Sequence, residues 1–178
     1  MSIPPPADAK RAATTAPAPG VEPATDLPAR AWLSLGSNIA PERNLADALA
    51  VLRARFGALL VSSAWRSEPA GFSGADFLNI AVGLDSDLPP LALRDWLHDL
   101  EARLGRDRNA PRLSSHTLDA DLVLFGDRVL HTPELELPRR DLLQPWVLGP
   151  LAEIAPDLRE PRSGQRLSEL WAARGMGG

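Results

Sequence analysis

Apolar positions follow two periods along the chain, and the switches between them set out the expected elements. Ala31-Trp32-Leu33-Ser34-Leu35 alternates and predicts a first strand, which runs into the turn Gly36-Ser37-Asn38. Leu45, Leu49, Leu52 and Phe56 then recur at helical spacing, with Pro41 near the start and Gly57 at the end. Residues 59–65 predict a second strand, and 67–74 are a loop rich in turn residues. A third strand over 77–84 has Leu78, Ile80, Val82 and Leu84 on a core face and Phe77, Asn79, Ala81 and Gly83 on the other. Pro89 and Pro90 open a second helix that carries Leu93, Trp96, Leu97, Leu100 and Leu104 on one side. Residues 118–125 read as a fourth strand, Gly126-Asp127 turns it into 129–131, and 148–154 suggest a short final helix. The order β-α-β-β-α-β is that of an α+β ferredoxin-like plait, an antiparallel sheet with helices packed on one face.

Composition trims this picture at both ends. Residues 1–30 hold 7 of the 18 prolines and only three large aliphatic residues. Such a stretch buries too little apolar surface to offset its ordering entropy, so it is expected to be a disordered arm. The folded domain is expected over 31–174, with 175–178 as a flexible tail. No apolar run reaches the roughly 20 residues of a membrane span. The chain has no cysteine, which excludes disulfides and thiolate chemistry and fits a cytoplasmic protein. A net charge of −4 disfavours a general nucleic-acid binder. Lys10, in the arm, is the only lysine among 19 basic residues. A P-loop needs a lysine after its glycines, so a phosphate site would have to be built from arginine, histidine, backbone amides and metal.

The strongest local signal is Asp119-Ala120-Asp121 on the fourth strand. Alternation sends Leu118, Ala120, Leu122 and Leu124 to one face and both aspartates to the other, with Cα atoms about 7 Å apart. Like charges side by side on a sheet repel, and a divalent cation removes that cost. Two aspartates near a strand end, paired with nearby arginines, is the other reading. Arg103, Arg106, Arg108, Arg112 and His116 lie just upstream, after a helix that closes at Gly105. A cationic loop beside a carboxylate–metal site suits a polyphosphate, although a solvated loop has the same composition. Phe77 beside Asn79 could stack on a flat ring and read its edge; the alternative is an edge strand whose Phe is covered by a loop. Trp146, set among prolines, is a further candidate ring.

Several blocks in order resemble the 6-hydroxymethyl-7,8-dihydropterin pyrophosphokinase family of folate biosynthesis. They are LSLGSN at 33–38, RSEPAG at 66–71, DFLNIAV at 76–82, LEARLGRDR at 100–108, HTLDADLVLFG at 116–126 and VLGPLAEIAPDL at 147–158. The resemblance covers about residues 31–160. It implies Mg-dependent transfer of the β,γ-pyrophosphate of ATP to the pterin hydroxymethyl oxygen, giving AMP. It implies that Asp119 and Asp121 hold two Mg²⁺ ions with ATP, and that Phe77 and Trp146 sandwich the pterin. Asn79 would bond the amide edge of the ring, with Ser67 and Ala70 in the adjoining loop. Glu101, Arg106, Arg108, Arg112, His116, Leu122 and Arg139 would serve the nucleotide, with Arg106 and His116 close to the chemistry. Partners would be ATP and a pterin, with no nucleic acid and no membrane, on a monomer. The chain departs from the family pattern at Leu113, where a loop tryptophan is usual, and at His116, usually arginine. It departs again at Arg139, usually histidine, and at Gln144, the best match to a later arginine. A divergent paralogue using a modified pterin, a non-catalytic pterin or nucleotide binder, and an RNA-binding module on the same plait are the rival readings.

Overall fold

The computed structural model describes residues 27–71, 73–105 and 115–175. The expected arm, except for its last four residues, and 176–178 of the expected tail lie outside these, as do Arg106, Arg108, Arg112 and Leu113.

The chain order is β1 (Ala29–Ser37), α1 (Pro41–Phe56), β2 (Leu60–Val61), β3 (Trp65–Ser67), β4 (Phe77–Ser86), α2 (Pro90–Arg103) and β5 (Asp119–Phe125). Then come β6 (Leu130–His131), β7 (Glu136–Leu137), α3 (Pro145–Ile154) and α4 (Leu167–Ala173). The main sheet runs β2-β4-β1-β5, with β3 also on β4, and its paired strands are antiparallel. This is the plait, with the expected second strand split in two around 62–64.

Alternation builds the first core layer. Leu33 and Leu35 of β1, Ile80, Val82 and Leu84 of β4, and Ala120 and Leu122 of β5 are buried against Leu45, Ala48 and Leu52 of α1 and Leu93, Leu97 and Leu100 of α2. Both helices start on proline, whose missing N–H costs nothing at that position. Phe56 and Trp96 meet edge to face at 5.0 Å and tie the two together.

The opposite face is partly covered too. Trp32, Ala81, Val123 and Leu124 pack under Val147, Leu148 and Leu151 of α3 and Leu167 of α4. Leu124 was expected on the α1–α2 face. The pairing of β1 with β5 shifts register between Trp32 and Leu33, and this irregularity carries Leu124 across the sheet to sit opposite Trp32. Trp32 needs the glycine beside it: a Cβ on Gly83 would lie 2.6 Å from the indole ring.

Helix α3 is longer than expected and is seated by Trp65. A Cβ on Gly149 would fall 2.6 Å from that ring, so the glycine lets the helix close on it. The Glu153 carboxylate then accepts from Trp65 Nε1 at 2.9 Å and from Ser63 N and Oγ at 2.8 and 2.7 Å. This docking fixes Trp146, in the first turn of α3, at the edge of the uncovered part of the sheet. Among the described residues, no helix is long and apolar enough to cross a membrane.

Candidate active site

The uncovered part of that sheet face carries the polar side chains. Two rows run across the strands. In one, Trp65, Asn79, Gly36 and Asp119 lie side by side; in the next are Ala81, Ser34 and Asp121. Small residues in β1 leave a trough between β4 and β5. A cleft of about 180 Å³ fills it, lined by Ser34, Gly36, Phe77, Asn79, Asp119 and Asp121 from the sheet. Ser67, Glu68 and Ala70 close one side, and His116, Asp141, Trp146 and Val147 close the rest.

Asn79 is buried and its orientation is fixed by its neighbours. Its Nδ2 donates to Ser67 Oγ at 2.9 Å and to the Trp65 carbonyl at 3.3 Å. Its Oδ1 therefore lies toward Gly36, where a Cβ would approach it to 3.0 Å. An amide oxygen held there can accept from the donor edge of a flat ring.

His116 is positioned by Asn38. The buried Asn38 Oδ1 accepts from His116 N at 2.8 Å, and Asn38 N donates to the His116 carbonyl at 3.1 Å. Asn38 Nδ2 also bonds the Ala75 carbonyl at 3.1 Å and Ser115 Oγ at 3.3 Å. One side chain thus pins both the approach to β5 and the approach to β4. The His116 ring stands 6.4 Å from that of Phe77, centroid to centroid. His116 therefore faces the same cleft as the candidate ring-binding residues.

The carboxylates meet Arg139 at the far side. Arg139 Nη1 bonds Asp121 Oδ1 at 2.7 Å, while Nε and Nη2 grip both oxygens of Asp141 at 2.9 Å. The pairing of an aspartate with an arginine, one of the two readings of the sequence, is thus present at Asp121. It does not neutralise the cluster. Burial, then the charges of Asp119, Asp141 and Glu101, push the Asp121 carboxyl up to about 8 against the opposing pull of Arg139. Burial alone would lower the pKa of Arg139; its bond to Asp141 and the surrounding carboxylates raise it instead.

A second cleft, of about 410 Å³, opens beyond this point. Asp121 and Asp141 line both clefts, and Arg139, Arg140, Arg94, His98 and Leu122 line the second. Glu101 lines neither: it is buried, and its Oε1 accepts from Ala120 N at 2.8 Å, between the two aspartates. Its position suits holding the strand that presents them.

The structure thus gathers Ser67, Ala70, Phe77, Asn79, Trp146, His116, Asp119 and Asp121 around one cleft and puts Leu122 and Arg139 at the next. Sequence reasoning missed Ser34, Gly36, Asp141 and Val147. Ser34 and Gly36 had a signal, since they alternate with Leu33 and Leu35 and so share the face of Asn79. Asp141 had none, because it lies in an irregular segment. Among the described residues no three acidic or histidine side chains form a closed metal cage. Two carboxylates supply hard oxygen ligands and leave the remaining positions to water and phosphate, a donor set that suits Mg²⁺.

The chain is similar to proteins of one family. The family described as 7,8-dihydro-6-hydroxymethylpterin-pyrophosphokinase (HPPK) matches residues 32–156. A 2-amino-4-hydroxy-6-hydroxymethyldihydropteridine pyrophosphokinase of Pseudomonas aeruginosa is 38% identical over 149 residues, spanning 81% of this chain and 91% of the relative. The Synechocystis protein of the same name is 39% identical over 153 residues, spanning 82% and 78%. Two solved structures share the fold at 11% identity: an HPPK-DHPS in complex with substrates, at a TM-score of 0.62, and the wild-type Plasmodium falciparum HPPK-DHPS, at 0.59. The chain matches these over 83% and 82% of its own length but spans only 43% and 44% of theirs.

Proposed function

Since the chain belongs to the 7,8-dihydro-6-hydroxymethylpterin-pyrophosphokinase family, we propose that its two clefts hold a pterin and ATP and that their junction is where pyrophosphate is transferred. The reaction is the ATP-dependent diphosphorylation of 6-hydroxymethyl-7,8-dihydropterin in folate biosynthesis. The hydroxymethyl oxygen gives its proton to solvent and bonds to the β-phosphorus, the bond from that phosphorus to the oxygen bridging it to the α-phosphate breaks, and AMP leaves. The observation that carries the reading is the sharing of Asp121 and Asp141 by both clefts. A group passed from one ligand to the other has to cross that point.

The first cleft suits the pterin. Trp146 and Phe77 offer ring faces, and Asn79 Oδ1 offers an acceptor for the donor edge. Holding the acceptor oxygen in line with the triphosphate supplies much of the rate enhancement in reactions of this type. Asp119 and Asp121 would hold Mg²⁺, two ions with ATP. When bound, the metal neutralises charge on the triphosphate. Arg139 and Arg140 line the second cleft, paired there with Asp121, Asp141 and Glu136, and would exchange these partners for phosphate oxygens; Arg106, Arg108 and Arg112 lie outside the described residues. No residue forms a covalent intermediate on this reading.

The test is AMP release from ATP plus 6-hydroxymethyl-7,8-dihydropterin, with and without Mg²⁺. Release that requires both pterin and metal supports it; ATP hydrolysis to AMP independent of pterin contradicts it.

A further inference from the structure

Arg139 sits on a carboxylate that the metal reading also needs. Its Nη1 is 2.7 Å from Asp121 Oδ1, and both groups are more than half buried, with side chains 35% and 23% exposed. Arg139 is anchored in two other places, one at its guanidinium and one at its backbone. Asp141 grips it through Nε and Nη2, and the Arg139 backbone N–H donates to the carbonyl of Val123, two residues beyond Asp121. If Asp121 turned away to a metal, Asp141 and the backbone bond would still keep Arg139 at the clefts' junction, with Nη1 left for another acceptor. A metal coordinated by Asp121 would stand a few ångströms from this guanidinium, and like charges that close repel strongly outside bulk water.

We propose that Arg139 and the divalent cation compete for Asp121, and that the cation enters only with nucleotide, whose triphosphate takes up the displaced guanidinium. The inference rests on the Mg–nucleotide reading of the site. Arg139 lines the second cleft, so its freed Nη1 has phosphate oxygens within its reach once that cleft is filled. Metal alone has to break the ion pair with nothing in exchange. Nucleotide supplies the exchange, so each ligand strengthens the other. Arg139 is on this account a positioning residue that holds Asp121 while no metal is bound and makes metal entry conditional on substrate.

Calorimetric titration of Mg²⁺ into the full chain, with and without a non-hydrolysable α,β-methylene ATP, tests this. Wild type should bind metal alone weakly and together with the analogue much more tightly. Arg139→Met and Arg139→Gln, which remove the competing charge, should bind metal alone at least about fivefold more tightly, with the coupling to analogue reduced in proportion. Arg139→Lys keeps a competing cation and should stay near wild type for metal alone. If Met folds poorly, the Gln and Lys variants make the same comparison. Metal-alone affinity that is no higher in the Met or Gln variants than in wild type would overturn the proposal. The analogue arm decides the underlying reading separately: wild type that binds Mg²⁺ but never the analogue contradicts the nucleotide site, while the metal-alone comparison still decides Arg139.

Discussion

Gly36 and Asn79 face each other across β1 and β4, and a Cβ at position 36 would come within 3.0 Å of Asn79 Oδ1. Asn79 cannot swing aside freely, because its Nδ2 is bonded to Ser67 and Trp65. Gly36→Ala should therefore weaken pterin binding by roughly 1–3 kcal/mol, the usual cost of overpacking a filled site. Nucleotide affinity should change little. Fluorescence titration with pterin reads the effect. In an Asn79→Ala background the same substitution should cost almost nothing, and equal costs in both backgrounds would show that Asn79 is not what the glycine accommodates.

Trp146→Ala should weaken pterin binding by about 1–3 kcal/mol, as expected for losing a stacking partner of a flat base. Trp146→Phe should recover most of it. A pterin titration unchanged in Trp146→Ala would remove this residue from the pocket.

The seat of α3 should be felt at the pocket and in acid. Hydrogen bonds from Ser63 and Trp65 hold the Glu153 carboxyl below its usual value. A depressed carboxyl stabilises the fold above the unfolded value near 4.5 and loses that contribution as pH falls through the folded value. Glu153→Gln should lower stability near neutrality, flatten part of the acid loss and weaken pterin binding through Trp146. Urea melts at neutral and acid pH, paired with pterin titration, check both. Loss of stability with unchanged pterin affinity would separate the helix seat from the pocket.

Asp121 should give the opposite slope. Its carboxyl is raised from 3.8 to about 8, so its contribution to stability is fully present below the unfolded value and is lost as pH rises toward 8. Wild type without metal should lose stability from this group between those values. Asp121→Asn should remove the slope, hold or raise stability at pH 8, and abolish turnover. Metal also displaces a proton from this carboxyl, so Mg²⁺ with nucleotide should stabilise wild type more at pH 8 than at pH 6. A metal-free melting temperature that rises over that range in wild type and falls in the variant would contradict the assignment.

The fold was legible because its strands and helices repeat their apolar residues on schedule. Leu78, Ile80, Val82 and Leu84 announced the core face of β4, and the leucines of α2 did the same for its inner side. Period alone cannot see a register shift, so alternation predicts the opposite face for Leu124. Helix α4 and the short β7 are too brief to carry a period. At the site, Phe77, Asn79 and the aspartate pair were legible because each sits on a strand whose opposite face is plainly apolar. The grip of Arg139 on Asp141, the clamp of Asn38 on His116 and the binding of Glu101 to Ala120 depend on tertiary approach. No local pattern announces them.

On the proposed function, pyrophosphate passes from ATP to a pterin across Asp119 and Asp121. The most direct measurement of this is AMP formation from ATP by wild type, Asp119→Ala and Asp121→Ala, with Mg²⁺ and with or without 6-hydroxymethyl-7,8-dihydropterin. The expected result is AMP only from wild type, only with pterin, in equal amount to diphosphorylated pterin, while both variants remain folded and inactive. Near-wild-type AMP formation by either variant at saturating Mg²⁺ would contradict it.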